Sequence, residues 1–507
     1  MAATLGVDIG SIATKAAVHD PRTGVVSFAA ERYKERGVSD LARLDADAVL
    51  AAAIKAMRSA AEAAAGRGVR IQAIGFSSIL HSVVLLDADH APLPIPGANG
   101  GASSSPPPTV LTYADERARN RVRELAATDS QAIYERTGCV VHPSYPLWTL
   151  AWLSRNHPHI LRCTRRIVSP AEYVIGRLTG SFERTSRSTA SASGLLSLAT
   201  GEWDDELAGM SGVPRDALPR VVEPTDCEPL ASGAASELGL AAGLPVAIGG
   251  GDGMLAHVGT GATREWMATL TLGTTGAVRQ LSTAPLLTRP AATWCYRLLP
   301  GAWVAGSAIT SGGNCIEWLR ESMAFDAGDG NALEARLDDH LRSGPVVVPF
   351  LHGERGPGWH AGACAVATFS APHDAASLAL GFMEGVAFNL RQCIETLPGP
   401  PPTVMRMTGG ALRMPLWVRM LADVLGRPIA LPAFASQCGP DAAREHVAVA
   451  AALVAQRAIG AIDDFSESAI GLDPLMPAIQ PDPARHGLFT RRYERYLEAY
   501  RLAIQGA

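Results

Sequence analysis

The sequence contains very little lysine. Only three of its 44 basic side chains, Lys15, Lys34 and Lys55, are lysines, and no run of basic residues occurs. With a formal net charge of −5, the chain lacks the positive surface typical of nucleic-acid-binding proteins. Its most apolar tract, residues 447–462, is interrupted by polar residues and is too short to span a bilayer. We therefore expect neither a nucleic acid nor a membrane as a partner.

Several familiar signatures are also absent. The eight cysteines include no C-x-x-C pair, which argues against a zinc site. No G-x-x-x-x-G-K-[ST] occurs, and no G-x-G-x-x-G follows the first predicted strand, so neither a P-loop nor a dinucleotide fold is indicated. Scattered thiols and the lack of a signal peptide predict a cytoplasmic protein. The length of 507 residues and the 47% hydrophobic content predict an enzyme of two or more domains.

Residues 249–276, GGGDGMLAHVGTGATREWMATLTLGTTG, combine a carboxylate with a glycine-rich turn. Glycines on both sides of Asp252 let the backbone approach a ligand closely. The Gly-Thr-Thr-Gly turn at 273–276 follows a strand-like segment and offers N–H groups and hydroxyls to a phosphate. A carboxylate beside a phosphate site predicts phosphoryl transfer to an alcohol, with Asp252 as the general base. The alternative is that Asp252 caps a helix starting near Met254.

The N-terminus repeats part of this pattern. The segment LGVDIGS (5–11) has the pattern of a buried strand that ends in a Gly-Ser turn, and a return strand follows. It matches LTLGT (270–274), with Thr271 at the position of Asp8, which predicts two similar lobes. A charge at the end of a buried strand is costly, so a Mg²⁺ ion would explain Asp8. The alternative is a partner such as Lys15 or a backbone cap.

Hydrophobic periodicity predicts an α/β chain in two parts, residues 1–250 and 251–507. The predicted strands are 4–9, 15–19, 26–30, 71–76, 82–87, 267–280 and 302–306, and the predicted helices are 47–65, 312–324, 375–396, 413–426 and 487–504. A mostly helical stretch is predicted at 114–180. Residues 92–109 are rich in Pro, Gly and Ser, which predicts a flexible surface insert.

Three polar residues of the first part are candidates for a polyol site. His81 lies in FSSILHS, and Asp115 and Arg117 lie in TYADERA. A polyol needs convergent donors and acceptors, which these side chains supply, although each alone is more typical of a surface or satisfied polar residue. In the second part, TGGA (408–411) ends a predicted strand before a helix, where glycines let the backbone lie against an adenine or a ribose.

Taken together, these segments resemble the FGGY carbohydrate kinases of the sugar kinase/actin-like ATPase superfamily. The resemblance covers roughly residues 4–460 and rests on GVDIGSIATK, FSSILHS, TYADERA, GGGDG, LTLGTTG, SGGNCIEWLR, FLHGERGPGW and TGGALRMPLWVRMLADVLGRPI. It implies two ribonuclease-H-like lobes with a central cleft. The first lobe, 1–250, would bind the sugar, and the second, 251–507, would bind ATP. Within the family, FSSILHS, TYADERA and RTGCVVHPSYPLWTLAWL are most similar to gluconate kinases.

The resemblance also implies roles for individual residues. Asp252 would be the catalytic base and Asp8 would serve a Mg²⁺ site. The remaining implied contacts are Gly10, Ser11, Lys15, Gly273 and Thr274 with the phosphates, Gly313, Gly410 and Met414 with the adenosine, and His81, Asp115, Arg117 and Tyr145 with the sugar acid. An arginine facing a carboxylate is chemically sensible, because its planar fork binds one bidentately.

The resulting hypothesis is an ATP- and Mg²⁺-dependent kinase that converts D-gluconate to 6-phosphogluconate. One alternative is a kinase for another polyol or a ketopentose such as xylulose or ribulose. An alternative of another class is a non-catalytic sugar sensor, which would not need a base such as Asp252. An actin- or chaperone-like ATPase would not need the sugar-side segments. The hypothesis is compatible with a homodimer.

Overall fold

The computed structural model describes residues 2–33, 41–96, 107–323, 330–431, 446–465 and 478–505. The predicted insert 92–109 is described only at its ends, and residues 97–106 lie outside the described residues. These ends are paired, because Pro94 forms an isolated β-bridge with Pro108 and the Thr109 N–H donates to Leu93 O at 3.3 Å. Within the described ranges, no helix has the length and apolar character needed to cross a membrane.

The strands follow the chain in short and medium lengths. They are β1 (Ala3–Ile9), β2 (Ala13–Asp20), β3 (Gly24–Arg32), β4 (Arg43–Asp45), β5 (Ile71–Ser78), β6 (Val83–Leu86), β7 (Thr109–Leu111), β8 (Arg166–Val168), β9 (Arg184–Ser186), β10 (Arg220–Val222), β11 (Cys227–Pro229), β12 (Pro245–Gly251), β13 (Met267–Leu272), β14 (Gly276–Ser282), β15 (Trp294–Leu299), β16 (Ala302–Ile309), β17 (Val346–Val348), β18 (Val366–Thr368), β19 (Val404–Thr408), β20 (Ile429–Ala430) and β21 (Ala478–Ile479).

The helices include every one that periodicity predicted, with bounds shifted by a few residues at most. They are α1 (Ala46–Ala65), α2 (Arg119–Thr137), α3 (Pro146–Asn156), α4 (Pro158–Cys163), α5 (Pro170–Thr179), α6 (Arg187–Ser191), α7 (Asp205–Ser211), α8 (Ser232–Leu238), α9 (Asp252–Gly259), α10 (Gly313–Met323), α11 (Gly330–Ser343), α12 (Ala375–Thr396), α13 (Pro415–Leu425), α14 (His446–Ala458) and α15 (Pro483–Ala503). Short 3-10 helices occupy Arg215–Ala217 and Gly410–Arg413.

The chain divides into two compact units. The N-terminal unit holds the described residues within Met1–Gly259, Cys295–Trp303 and Glu445–Leu472, and the C-terminal unit holds those within Thr260–Trp294, Val304–Arg444 and Asp473–Ala507. These units are not the continuous halves 1–250 and 251–507, because α14 and the 295–303 segment pack in the N-terminal unit. The sugar and ATP roles expected of the halves stay predictions.

The central sheet of the N-terminal unit has the strand order β11-β12-β5-β1-β2-β3. Here β1 pairs with β2 antiparallel and with β5 parallel, and β5 pairs with β12 parallel. Along β1 the side chains alternate between the two faces of the sheet. Leu5 and Val7 join a buried core with α1, whereas the Thr4 hydroxyl donates to Ala452 O of α14 at 2.8 Å.

The sheet of the C-terminal unit repeats this order. Within the unit its strands run β16-β14-β13-β19-β20-β21. Here β13 pairs with β14 antiparallel and with β19 parallel, β19 with β20 parallel, and β20 with β21 antiparallel. Since β13 thus takes the place of β1, the structure confirms the predicted α/β class with two similar lobes. It also confirms that Thr271 corresponds to Asp8, each two residues before the glycine of its hairpin turn.

Glycines seat α14 on the N-terminal sheet. A Cβ on Gly6 would lie 1.8 Å from Ala448 O, and one on Gly75 would lie 2.0 Å from Ala451 O. Only residues without a side chain therefore let this alanine-rich helix lie directly on β1 and β5. The contact supports the two strands that carry the candidate site of this unit.

Candidate active site

Asp252 lies at the junction of β12 and α9, of which it is the first residue. The helix thus begins at Asp252 itself, two residues before Met254. Its Oδ1 accepts a hydrogen bond from the Leu80 N–H, at 3.3 Å, in the loop after β5. The N-terminal end of a helix favours a charged carboxylate. The structure therefore presents Asp252 as a hydrogen-bond acceptor facing the loop that carries His81.

The glycines before Asp252 bring β12 close to its neighbours. Gly249 has a φ of 81°, and a Cβ there would lie 1.8 Å from Phe76 O. A Cβ on Gly251 would lie 2.3 Å from a methyl carbon of Leu80. Side chains at these positions would push the strand away, so the glycines are what allow Asp252 to reach the Leu80 amide.

Asp8 lies near the end of β1 and Asp252 directly follows β12, and both strands end at the same edge of the sheet. In the register, Ser77 of β5 lies between Asp8 of β1 and Gly250 of β12. The carboxyl ends of parallel strands form the usual ligand-binding edge of an open α/β sheet. The Ser77 hydroxyl donates to Asp8 Oδ1 at 2.9 Å. Two carboxylates are thus brought to one edge by β1 and β12, which lie on either side of β5.

The environment of Asp8 is buried and polar. Burial raises the pKa of Asp8, while the Lys15 ammonium and the Ser77 hydroxyl act in the opposite direction. Lys15 lies opposite Asp8 in the hairpin register, so it is the partner that the alternative interpretation required. The turn between them holds Gly10 and Ser11, with the Gly10 N–H donating to Ala13 O at 3.2 Å.

A Mg²⁺ site at Asp8 fits the residues present. Among the described residues, no group of three or more His, Cys, Asp or Glu side chains could hold a metal ion. Mg²⁺ bound with a nucleotide needs only one or two carboxylates, because phosphates and waters complete its octahedron. A single buried carboxylate with a neighbouring serine hydroxyl meets that requirement, whereas a protein-only cage would not.

His81 belongs to a cluster of rings. It has a φ of 56°, in the left-handed region that non-glycine residues rarely adopt. Its Nδ1–H donates to Ala192 O at 2.7 Å, and its ring lies 4.6 Å from that of Tyr145 and 5.8 Å from that of Tyr296. Because a carbonyl can only accept, Nδ1 carries a proton, and in the neutral form of the ring Nε2 is then an acceptor.

The structure also shows what holds Tyr145. Its hydroxyl lies 2.6 Å from the Tyr296 hydroxyl, and both side chains are buried. Tyr145 therefore packs beside His81 and is held there by its hydrogen bond with Tyr296. Sequence reasoning missed Tyr296, because nothing in the local pattern of β15 indicates that it packs beside residues so far away along the chain.

Asp115 and Arg117 form a buried ion pair. The Arg117 Nε lies 2.9 Å from both Asp115 oxygens, and its Nη1 donates to Pro96 O at 2.9 Å. The guanidinium also lies over the ring of Trp152, 4.6 Å from its centroid. The structure thus brings these two predicted residues together, and their described contacts are with each other and with Pro96 and Trp152 rather than with His81 or Asp252.

The C-terminal unit contains a pocket of ≈ 710 Å³. All five residues predicted for nucleotide binding in this part of the chain line it: Gly273, Thr274, Gly313, Gly410 and Met414. The other lining residues, which sequence reasoning missed, are Asn314, Ile316, Glu317, Trp318, Glu321, His352, Ala411, Arg413 and Trp417. Most of them lie in or next to the segments SGGNCIEWLR and TGGALRMPLW, which the sequence analysis had identified. They could have been predicted from their helical spacing relative to Gly313 and Gly410.

The floor of this pocket is backbone. The β13–β14 turn lies against the start of α10, where the Gly313 N–H donates to Gly273 O at 2.7 Å and the Asn314 N–H to Thr274 O at 3.1 Å. Gly409 has a φ of 109°, and a Cβ there would lie 2.3 Å from Leu272 O. Close packing of glycine segments therefore forms this side of the pocket, and the first N–H groups of α10 are already bonded to carbonyls of the turn.

Comparison with known proteins identifies both parts of the chain. Residues 3–259 match the family model described as "FGGY family of carbohydrate kinases, N-terminal domain", and residues 268–440 match its C-terminal domain. A gluconokinase of Bacillus licheniformis is 26% identical over 486 residues, which cover 91% of this chain and 88% of the relative. A xylulose kinase of Escherichia coli (strain K12) is 26% identical over 509 residues and 98% of both chains.

Solved structures show the same fold. A gluconate kinase from Lactobacillus acidophilus superposes with a TM-score of 0.85 at 24% identity, covering 99% of this chain and 98% of its own. A structure described as a "xyloylose kinase" from Brucella ovis has a TM-score of 0.85 at 26% identity and covers 99% of both chains. The two-unit architecture is therefore shared along nearly the whole length.

Proposed function

The chain belongs to the FGGY family of carbohydrate kinases, and from this premise we propose that it phosphorylates D-gluconate to 6-phosphogluconate with ATP and Mg²⁺. Carbohydrate kinase activity follows from the family, whose members use ATP as the phosphate donor. The observation that carries the proposal is that all five residues predicted for the nucleotide in the C-terminal unit line one pocket. The gluconokinases among the similar proteins support gluconate as the acceptor.

In the proposed reaction, Asp252 accepts the proton of the attacking hydroxyl. The hydroxyl oxygen forms a bond to the γ-phosphorus, and the bond from that phosphorus to the β,γ-bridging oxygen breaks, leaving ADP. The Leu80 N–H holds one carboxylate oxygen of Asp252 in place. A positioned general base of this kind contributes about 10²–10⁴-fold to the rate. Proton removal by Asp252 is therefore expected to supply a large part of the rate acceleration, but not all of it.

Other residues of the chain would hold the phosphates and the metal. Ser11 and Thr274, in the two glycine turns, would offer N–H groups or hydroxyls, and Lys15 would offer a compact positive charge. The Gly10 and Gly273 N–H groups already donate within their turns, so these glycines would contribute a close approach of the backbone. Asp8 would hold Mg²⁺, which when bound neutralises charge on the β- and γ-phosphates. A cation would be favourable at Asp8, because burial raises its pKa despite the nearby Lys15 ammonium and the Ser77 hydroxyl.

The sugar acid would contact the N-terminal unit. We propose that His81 accepts a hydrogen bond from a sugar hydroxyl through Nε2, since Nδ1 donates to Ala192 O. Tyr145 would form part of the wall beside it. Arg117 already pairs with Asp115, so binding a substrate carboxylate would require the guanidinium to share or exchange that partner.

The test is a coupled assay of ADP release with gluconate, xylulose, ribulose, glycerol and erythritol as acceptors. We expect gluconate to give by far the highest kcat/KM, with 6-phosphogluconate as the product by mass. A xylulose kinase similar over 98% of this chain supports a ketopentose as the second candidate, and preference for xylulose or ribulose would favour it. Sugar binding without ADP release from any acceptor would instead favour a sensor.

Two further expectations belong to this proposal. In the described part of the chain the seven cysteines are free thiols, which supports the reducing cytoplasm as the location. The homodimer stays a prediction, and light scattering coupled to gel filtration will measure the mass in solution.

A further inference from the structure

We propose that Trp318 of α10 is the wall of the nucleotide pocket against which the base stacks. The inference rests on the proposed function, because it assumes that the ≈ 710 Å³ pocket binds a nucleotide. Trp318 lies in the segment SGGNCIEWLR, but neither the sequence motifs nor the family resemblance gave this residue a role of its own. Trp318 would supply affinity for the base, while the glycine turns hold the phosphates.

Trp318 lies in α10, beyond the end of the helix that contacts the phosphate turn. The helix begins at Gly313, whose N–H is bonded to the Gly273 carbonyl of the phosphate turn. An α-helix rises about 1.5 Å per residue, so Trp318 lies about 7.5 Å further along the axis. A nucleotide with its phosphates at the turn therefore extends its base along α10 towards this side chain.

The Trp318 side chain lines the pocket and is partly exposed. Trp318 is 38% exposed, whereas Trp417, which lines the same pocket, is 1% exposed. The Trp318 indole contacts the ring of Phe382 in a tilted arrangement, with centroids 5.7 Å apart and planes at 55°. A large aromatic ring that is held by a neighbouring ring and lines a pocket is suited to stacking on a flat ligand. Met414 lines the pocket too and would add an apolar contact to the base.

Stacking predicts a particular pattern of affinities. It is worth about 5- to 150-fold in binding per base, and it is tolerant of base identity, because every base has a π-face. Loss of Trp318 should therefore weaken ADP and AMP by the same factor. Loss of a phosphate contact would instead weaken ADP more than AMP.

The experiment is a calorimetric titration of the full-length protein with ADP and with AMP, without sugar. We expect Trp318→Ala to weaken both ligands about 5- to 150-fold and Trp318→Phe, which keeps a ring, to stay within a few-fold of the unaltered protein. The matched control is Trp266→Ala, because Trp266 is 46% exposed in the same unit and does not line the pocket. A folded Trp318→Ala protein, judged by its thermal unfolding, that binds both ligands within twofold of the unaltered protein would overturn the inference.

Two other outcomes are also decisive. If Trp266→Ala weakens binding as much as Trp318→Ala, the effect is not stacking in this pocket and the inference is wrong. If the unaltered protein binds neither ADP nor AMP, the proposed kinase function fails, and the inference fails with it. Intrinsic tryptophan fluorescence adds a second readout, since saturating ADP should quench the unaltered protein and Trp266→Phe more strongly than Trp318→Phe, which keeps only Trp417 in the pocket.

Discussion

Replacement of Gly6 by alanine should displace α14 from the N-terminal sheet. A Cβ at this position would lie 1.8 Å from Ala448 O and 2.4 Å from Ala452 N, whereas ordinary contacts begin near 3.4 Å. The clash is with backbone atoms, so no side-chain rotation can relieve it. The helix and β1 must therefore separate by roughly the difference, about 1.6 Å.

The energetic cost follows from what that movement disturbs. Overpacking a buried contact costs about 1–3 kcal/mol. The shift also lengthens the buried hydrogen bond from the Thr4 hydroxyl to Ala452 O, now 2.8 Å, and a buried polar group left unsatisfied costs about 1–3 kcal/mol. We expect Gly6→Ala to lower the free energy of unfolding by about 2–6 kcal/mol, a large part of the usual total. Because β1 carries Asp8, turnover should fall as well.

Urea unfolding followed by circular dichroism measures the effect. The matched control is Gly233→Ala in α8, where an added Cβ meets no atom within 4 Å and the backbone is helical. That control should be neutral or slightly stabilising, because alanine is the better helix former. If Gly6→Ala unfolds within about 0.5 kcal/mol of the unaltered protein, the steric account of the α14 contact is refuted.

Three more predictions concern single side chains. Asp252→Asn should lower turnover about 10²–10⁴-fold while the ADP affinity measured by calorimetry stays unchanged; near-normal turnover would remove Asp252 from the mechanism. Tyr296→Phe deletes the hydroxyl that lies 2.6 Å from that of Tyr145, so the KM for the sugar should rise about 2- to 10-fold, and an unchanged KM would exclude a positioning role. Burial lowers the pKa of His19 to about 4, and Gln456 Nε2 donates to the unprotonated Nδ1 at 3.1 Å. Since the unfolded state then binds the extra proton between about pH 6.5 and 4, stability should fall as the pH drops through that window, by up to about 3 kcal/mol, and His19→Leu should flatten the curve.

Local patterns were sufficient for much of the fold. The helix predicted at 47–65 is observed at Ala46–Ala65, and the one predicted at 375–396 is observed at Ala375–Thr396. Both glycine turns were predicted as hairpin turns, and the structure confirms them. These features depend on periodicity and on glycine conformations, which are properties of neighbouring residues and are therefore readable without tertiary contacts.

The candidate site was predictable in part. The residues expected to bind a nucleotide in the second part of the chain line one pocket, because the segments that carry them are short turns at strand and helix ends. The sequence did not indicate that Arg117 would be held by Asp115 and Trp152. Its expected role towards a sugar carboxylate stays a prediction, as do the roles of the other proposed residues.

Local sequence patterns were enough to place the long helices, the first strands and the two glycine turns. Long-range packing, by contrast, places α14, more than 400 residues from β1, in the N-terminal unit and brings Tyr296 beside His81. The physical reason is that these contacts depend on shape rather than periodicity. An alanine-rich helix can lie on any surface that offers room, and the missing side chains of Gly6 and Gly75 provide that room only once β1 and β5 are side by side.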